Sequence, residues 1–205
     1  MILNKTQCGS LALISLPCLF CSCVFARPRV RIPSTKQAIV RAIRNSGDYR
    51  IFGLFRRKTV DSSYQRIYAG ISASKRANGS VMVRFTETSE DEDTKPKVLL
   101  MFVFSSSGVK KRVFNQNLKL QRSKVVANIR LCNAISAAYS FWKPGYGSHT
   151  TFDVEAQEQA REILWQGEGV KKYKFYVRFL PTEPGSSVGF ALSKNFQLVA
   201  ENSGT

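Results

Sequence analysis

No acidic residue precedes Asp48, and the body of the chain is almost without cysteine. Cys8, Cys18, Cys21 and Cys23 lie near the start, which leaves Cys132 alone in the remainder. One thiol there excludes an internal disulfide framework and a cysteine-based zinc site. Cys18, Cys21 and Cys23 sit in an apolar run and read as buried thiols or acylation sites rather than metal ligands. Histidine occurs once, at His149. With Thr150, Thr151 and Asp153 nearby it does not by itself define a catalytic triad, and it reads most simply as a loop residue. Gly-rich phosphate loops and metal-ligand spacings are missing too, so the sequence indicates no reaction and no cofactor.

What is present is positive charge. Against 14 Asp+Glu stand 31 Lys+Arg, a formal net charge of +17 on 205 residues. Such a surplus raises repulsion within the folded state and usually answers to a polyanion. Nucleic acid is the first candidate and an anionic membrane the second. A hydrophobic content of 43% is enough for a core. The length suits one domain with an N-terminal extension.

Three sections follow along the chain: 1–26, 27–59 and 60–205. Thr6 to Ala26 carries no charge. It reads as a signal peptide cut before Arg27, or as a membrane anchor whose flanking charges keep the body cytosolic. An organellar presequence fits less well, because only Lys5 is basic there. A buried strand or a fortuitous start upstream of the working protein is the plain alternative. The second section holds Arg27, Arg29, Arg31, Lys36, Arg41, Arg44, Arg50, Arg56, Arg57 and Lys58 against Asp48 alone. That bias favours a nucleic-acid-binding arm over a solvated linker. Within it, Ser34 caps a predicted helix running to about Arg44 and ending near Gly47, with Ala38, Ile39, Ala42 and Ile43 on one face.

From about Tyr64 the pattern becomes short runs at strand spacing. Strands are predicted at Arg66–Ser72, Ser80–Thr86, Lys97–Phe104, Leu118–Gln121, Lys124–Leu131, Lys172–Phe179, Gly189–Leu192 and Phe196–Ala200. Asn78-Gly79 predicts a hairpin turn with positive φ at both central positions. Lys97–Phe104 is nearly all apolar, as a strand covered on both faces would be. Phe152 to Trp165 fits either a helix or a loop leading into a strand. No internal repeat is visible. The expected fold is mainly β, an antiparallel sandwich of jelly-roll type behind a basic arm, with an α/β layer as the alternative.

Two further basic zones stand out. Lys172, Lys174, Tyr176 and Arg178 alternate with Tyr173, Phe175, Val177 and Phe179, which at period two gives one cationic face and one apolar face. The cationic face suits a phosphate backbone, with Tyr176 available for stacking. A half-exposed strand with solubilising lysines accounts for it equally well. Lys110, Lys111 and Arg112, with Lys119, Arg122 and Lys124, form the second zone around a predicted turn. Glu87, Glu90, Asp91, Glu92 and Asp93 read as a solvated hairpin loop in preference to a calcium site between subunits.

Asp153-Val154, Gln159, Arg161, Ile163-Leu164-Trp165, Gly167-Glu168-Gly169 and the Tyr173–Phe179 strand follow in an order that resembles the end of the coat domain in small icosahedral plant RNA viruses, luteoviruses especially. That resemblance implies a jelly-roll subunit that self-assembles, packages RNA through its basic arm, and resides in the virion or host cytoplasm. The chain departs from the pattern in its apolar start and in continuing past Phe179.

A second resemblance, to a small-subunit ribosomal protein of the platform, rests on Asn133-Ala134-Ile135-Ser136, Gly145-Tyr146-Gly147-Ser148, Ala156-Gln157, Gly169-Val170-Lys171-Lys172, Pro184-Gly185 and Asn195-Phe196. It requires a helix over Phe152–Trp165 and an α/β layer. The third class is a membrane-attached viral accessory protein, serving movement or silencing suppression, held by Thr6 to Ala26.

Overall fold

Ser34 stops one chain direction and starts a helix. Its hydroxyl accepts from the Gln37 backbone N–H at 3.3 Å, and the Gln37 side-chain oxygen accepts from the Ser34 N–H at 3.2 Å, a reciprocal capping box. The helix that follows, α1 (Thr35–Asn45), buries Ala38, Ile39, Ala42 and Ile43 completely. Removing each isoleucine side chain from water contributes about 2 kcal/mol. The predicted helix is therefore present, and it is packed in the domain core. This part of the basic arm belongs to the fold instead of preceding it.

The computed structural model describes residues 30–52, 57–58, 64–65, 69–87, 97–143, 150–164, 170–181 and 187–203. After α1 come β1 (Arg57–Lys58), β2 (Tyr64–Gln65), β3 (Ala69–Lys75), β4 (Val81–Glu87), β5 (Lys97–Ser105), β6 (Gly108–Val113), α2 (Arg122–Phe141), β7 (Thr151–Leu164), β8 (Val170–Pro181), β9 (Val188–Leu192) and β10 (Leu198–Ser203). β1 and β2 pair with each other. The remaining strands form one eight-stranded antiparallel sheet in the order β10-β9-β8-β7-β3-β4-β5-β6.

The fold is mainly β, as composition and spacing predict. The strands do not make the expected sandwich: the described residues hold one large sheet, and two helices take the place of a second. α1 and α2 lie on the same face of that sheet, in one core with Ile71, Val83, Phe85, Phe102, Phe152, Val177 and Phe190. The alternative expectation of a helical layer on a sheet is nearer to this arrangement, although every pairing is antiparallel.

The same order of elements occurs twice. α1 is followed by the β3-β4-β5-β6 meander, apart from the small β1/β2 pair, and α2 by β7-β8-β9-β10. The halves meet where β3 pairs with β7, from Ala69↔Val154 to Ser72↔Thr151. This repeat is one of topology, which is why no repeat of residues reveals it.

Two segments correct the sequence expectation. Arg122–Phe141 is a single helix where Lys124–Leu131 reads as a strand. The β-branched residues that suggest a strand end up outside, Val126 being 67% and Ile129 41% exposed, while Leu131, Cys132, Ile135, Ala138 and Tyr139 are buried at helical spacing. Burial against the sheet overrides local propensity here. Leu118–Gln121, the other expected strand, reduces to the end of a 3₁₀ turn (Gln116–Leu118) and an isolated bridge between Tyr49 and Lys119.

Thr151–Leu164 is β7, with partners on both sides. Phe152, Val154 and Ala156 are buried and alternate with Asp153, Glu155 and Gln157. Carboxylates and amides at the alternate positions mask a period-two pattern. The helix that the ribosomal resemblance needs over this region is not formed.

Smaller differences are local. β5 is fully covered on one face, where Leu100, Phe102 and Phe104 are buried, and only partly on the other, where Leu99 is buried but Met101 and Val103 are half-buried. The β3–β4 hairpin does turn at Asn78-Gly79, but only Gly79 has positive φ, at 78°. Gly79 N–H donates to the Arg76 carbonyl at 2.9 Å, and Arg76 N–H to the Ser80 carbonyl at 2.8 Å. This is a three-residue loop closed by a left-handed glycine, not the two-residue turn expected. Thr6 to Ala26, residues 90–93, His149, residues 165–169 and Pro184-Gly185 lie outside the described residues. Among the described residues no helix is long and apolar enough to cross a membrane.

Candidate nucleic-acid interface

Each strand of the sheet has one face toward the helices; at the alternate positions Arg84, Lys110 and Arg112 are exposed, whereas Met82, Glu155, Gly189 and Ala191 are buried. No described element packs on that second face. Register places its residues in rows across the strands. One row runs Arg112↔Met101↔Arg84↔Ser72↔Thr151, from β6 to β7. The next holds Lys110↔Val103↔Met82↔Ser74. Arg84, Lys110 and Arg112 are exposed, and none of them has a carboxylate partner among the described residues. Arg84 and Arg112 stand two strands apart, which at ordinary strand spacing is about 10 Å between backbones. Met101 and Val103 lie half-buried between the cations and form an apolar floor.

The second half of the same face is electrostatically different. Glu155 faces Arg178 across the β7–β8 ladder and accepts from Gln157 Nε2 at 2.8 Å. Arg178 Nη2 in turn donates to Ser187 Oγ at 2.8 Å. Asp153, in the row with Gly70 and Leu180, has its carboxyl raised above the usual range by burial. On the helix side of the same strands, Glu158, which pairs with buried Phe175, is held by Arg130 of α2 at 2.9 Å, and Lys174 reaches the same oxygen at 3.4 Å. Cations here are answered by acids of the same chain.

The predicted site residues are thus separated. Lys110 and Arg112 share the uncovered face, but Lys111 points to the helix side, 5.0 Å over the Tyr49 ring. A period-two strand divides three consecutive cations this way. Lys172, Lys174, Tyr176 and Arg178 alternate with buried Phe175, Val177 and Phe179, as the spacing predicts. Tyr176 lies down against β9: a Cβ built on Gly189 would come within 2.8 Å of its Cζ. The ring covers a glycine, so it is less free to stack than the sequence suggests.

Arg41 and Arg44 lie on the exposed side of α1, with Arg31 before it, away from the sheet face. Arg57 and Lys58 are described only as the backbone of β1, and Arg27, Arg29 and Arg56 lie outside the described residues.

Arg84 is the residue that sequence reasoning missed. Its signal is faint: one cation at an outward position among Val81, Met82, Val83 and Phe85 of β4. No group of acids, cysteines and histidine able to hold a metal ion occurs among the described residues. Comparisons with family models, curated proteins and solved structures find no match. The reading of this face therefore rests on its own geometry and charge.

Proposed function

We propose that this chain is a structural nucleic-acid-binding protein, with RNA the favoured partner, that contacts the sugar–phosphate backbone across the uncovered face of its sheet. The observation that carries the reading is the Arg112–Met101–Arg84–Ser72 row with Lys110 beside it, cationic and with no acid at the outward positions of β3 to β6 among the described residues. Phosphates would meet Arg84, Lys110 and Arg112, and bases would rest on Met101 and Val103. Contacts of this kind read backbone and not sequence. Lysine on an edge strand also deters edge-to-edge pairing, and this accounts for Lys110 without a ligand. It does not account for Arg84, which sits on an inner strand.

Titration of single-stranded RNA and DNA at several salt concentrations tests the proposal. Replacing Arg84, Lys110 and Arg112 with glutamine should lower the salt slope by about 2, since each phosphate neutralised on a single strand accounts for roughly 0.7 of it. An unchanged slope would move the binding surface elsewhere, first to the Arg27–Lys58 segment.

The finer reading, a capsid-type subunit that assembles with copies of itself, is favoured by β6 and β10, which among the described residues pair on one side only. β10 carries one acid, Glu201, and a 40% exposed Leu198, so it is the less protected edge. Light scattering with absorbance at 260 and 280 nm on protein from its native cells tests this. A large assembly rich in nucleic acid is expected, and a bare monomer would sink it. The membrane-attached alternative turns on Thr6 to Ala26 and is tested by vesicle flotation with and without residues 1–26.

A further inference from the structure

A groove of about 910 Å³ opens on the other side of the sheet, between the start of α1 and the β3–β4 hairpin. Lys75 pairs with Val81 across the hairpin, and Val81 belongs to the core, so both face the helix layer. The groove is therefore separate from the Arg84–Arg112 row. Arg31, Arg41 and Lys75 line it, together with Ile32, Pro33 and Val81. No carboxylate lines it, and none of the three cations has an ion-pair partner among the described residues.

The capping box already uses one N–H of the first turn of α1, that of Gln37. Ser34 Oγ accepts from Gln37 N–H, and the Ser34 carbonyl accepts from Ala38 N–H at 2.8 Å. The positive field comes from three side chains supplied by three separate pieces of chain: the approach to α1, α1 itself and β3. Three exposed cations around one concavity raise a local positive potential that draws an anion in. The volume falls in the range of small-ligand sites, roughly 300–1,000 Å³, and is far larger than one phosphate ion needs. Apolar walls at Ile32, Pro33 and Val81 suit a flat ring.

We propose that this groove binds one phosphorylated nucleotide unit, its phosphate held by Arg31, Arg41 and Lys75 and its base placed against Ile32, Pro33 and Val81. The nucleotide is either free or part of a strand. In the second case the groove adds a contact to the function proposed above and rests on that reading.

The test uses the full chain, with calorimetric titration of a ribonucleoside monophosphate and of a single-stranded RNA. Three proteins are compared: wild type, the Arg31→Gln/Arg41→Gln/Lys75→Gln variant, and the Arg84→Gln/Arg112→Gln variant. Circular dichroism confirms that the exposed substitutions leave the fold intact. The groove variant should bind the mononucleotide at least tenfold more weakly, and the sheet variant should bind it as wild type does. If only the strand responds to the groove variant, the ligand is a nucleotide within a strand. The inference is overturned if neither ligand responds to the groove variant, or if neither binds wild type. RNA binding that depends on the sheet variant alone would remove the groove and keep the proposed function. Mononucleotide binding that depends on the groove, with RNA binding indifferent to the sheet variant, would do the reverse.

Discussion

The buried side-chain amide of Asn128, on α2, donates to the backbone carbonyl of Gly47 at 2.7 Å. The same nitrogen donates to the Tyr49 carbonyl at 2.8 Å, so one residue of the second helix ties down the exit from the first. Packing at this point is close: a Cβ on Gly47 would meet Ile129 Cγ1 at 2.8 Å. The contact joins the two halves of the fold on the helix side, as the β3–β7 pairing joins them in the sheet.

Asn128→Ala should therefore be costly. It leaves the buried Gly47 carbonyl without its donor, at about 1–3 kcal/mol for such a group, while the Tyr49 carbonyl keeps the Ile51 N–H at 3.0 Å. The urea midpoint should fall markedly with an unchanged denaturant slope. A shift within experimental error would mean that water or another donor replaces the amide.

Gln121→Asp should stabilise the protein. Gln121 is the N-cap of α2 and makes no side-chain capping bond, and Arg122 and Lys124 put positive charge on the helix end that disfavours it. An aspartate there both caps and opposes the dipole, a gain of about 1 kcal/mol. A higher thermal midpoint checks this, and a lower one would show that Gln121 serves another contact.

Asp153→Asn should stabilise at neutral pH and have no effect in acid. Burial raises the carboxyl of Asp153 in the folded state, so the folded chain keeps this proton to a higher pH than the unfolded chain does. Stability then falls as pH climbs from the unfolded value, about 3.9, through the raised folded one. Above that window the ionised group is a cost, and asparagine removes it. Midpoints for both proteins measured from pH 3 to pH 7 should diverge with rising pH. Parallel curves would assign Asp153 a compensating partner.

Gly189→Ala should lift the Tyr176 ring off β9. The added methyl occupies the space now taken by Tyr176 Cζ. The near-ultraviolet tyrosine signal should change, with a modest loss of stability. RNA affinity should stay the same if the backbone is held by β3 to β6, and it should change if Tyr176 takes part.

Legibility in the sequence followed the number of constraints acting locally. α1 could be read because its cap, its apolar face and its stop all lie between Ser34 and Gly47. β8 could be read because Phe175, Val177 and Phe179 alternate without interruption. α2 and β7 could not. The first is rich in β-branched residues and the second in helix-favouring acids and amides, and each is decided by what it packs against. The candidate interface was half legible: a cluster such as Lys110 to Arg112 shows that charge is present, but only register shows that Lys111 leaves the group and Arg84 joins it.

The one-sided placement of the helices has a consequence for how such a chain can change over generations. Residues at one parity of each strand hold the core, and on β4 to β6 those at the other parity include the exposed Arg84, Lys110 and Arg112. Substitution at the second set can redraw the surface charge, from the cationic half at β3 to β6 to the mixed half at β7 to β10, while the interior stays as it is. The two meanders thus give selection two separately adjustable panels on a single scaffold.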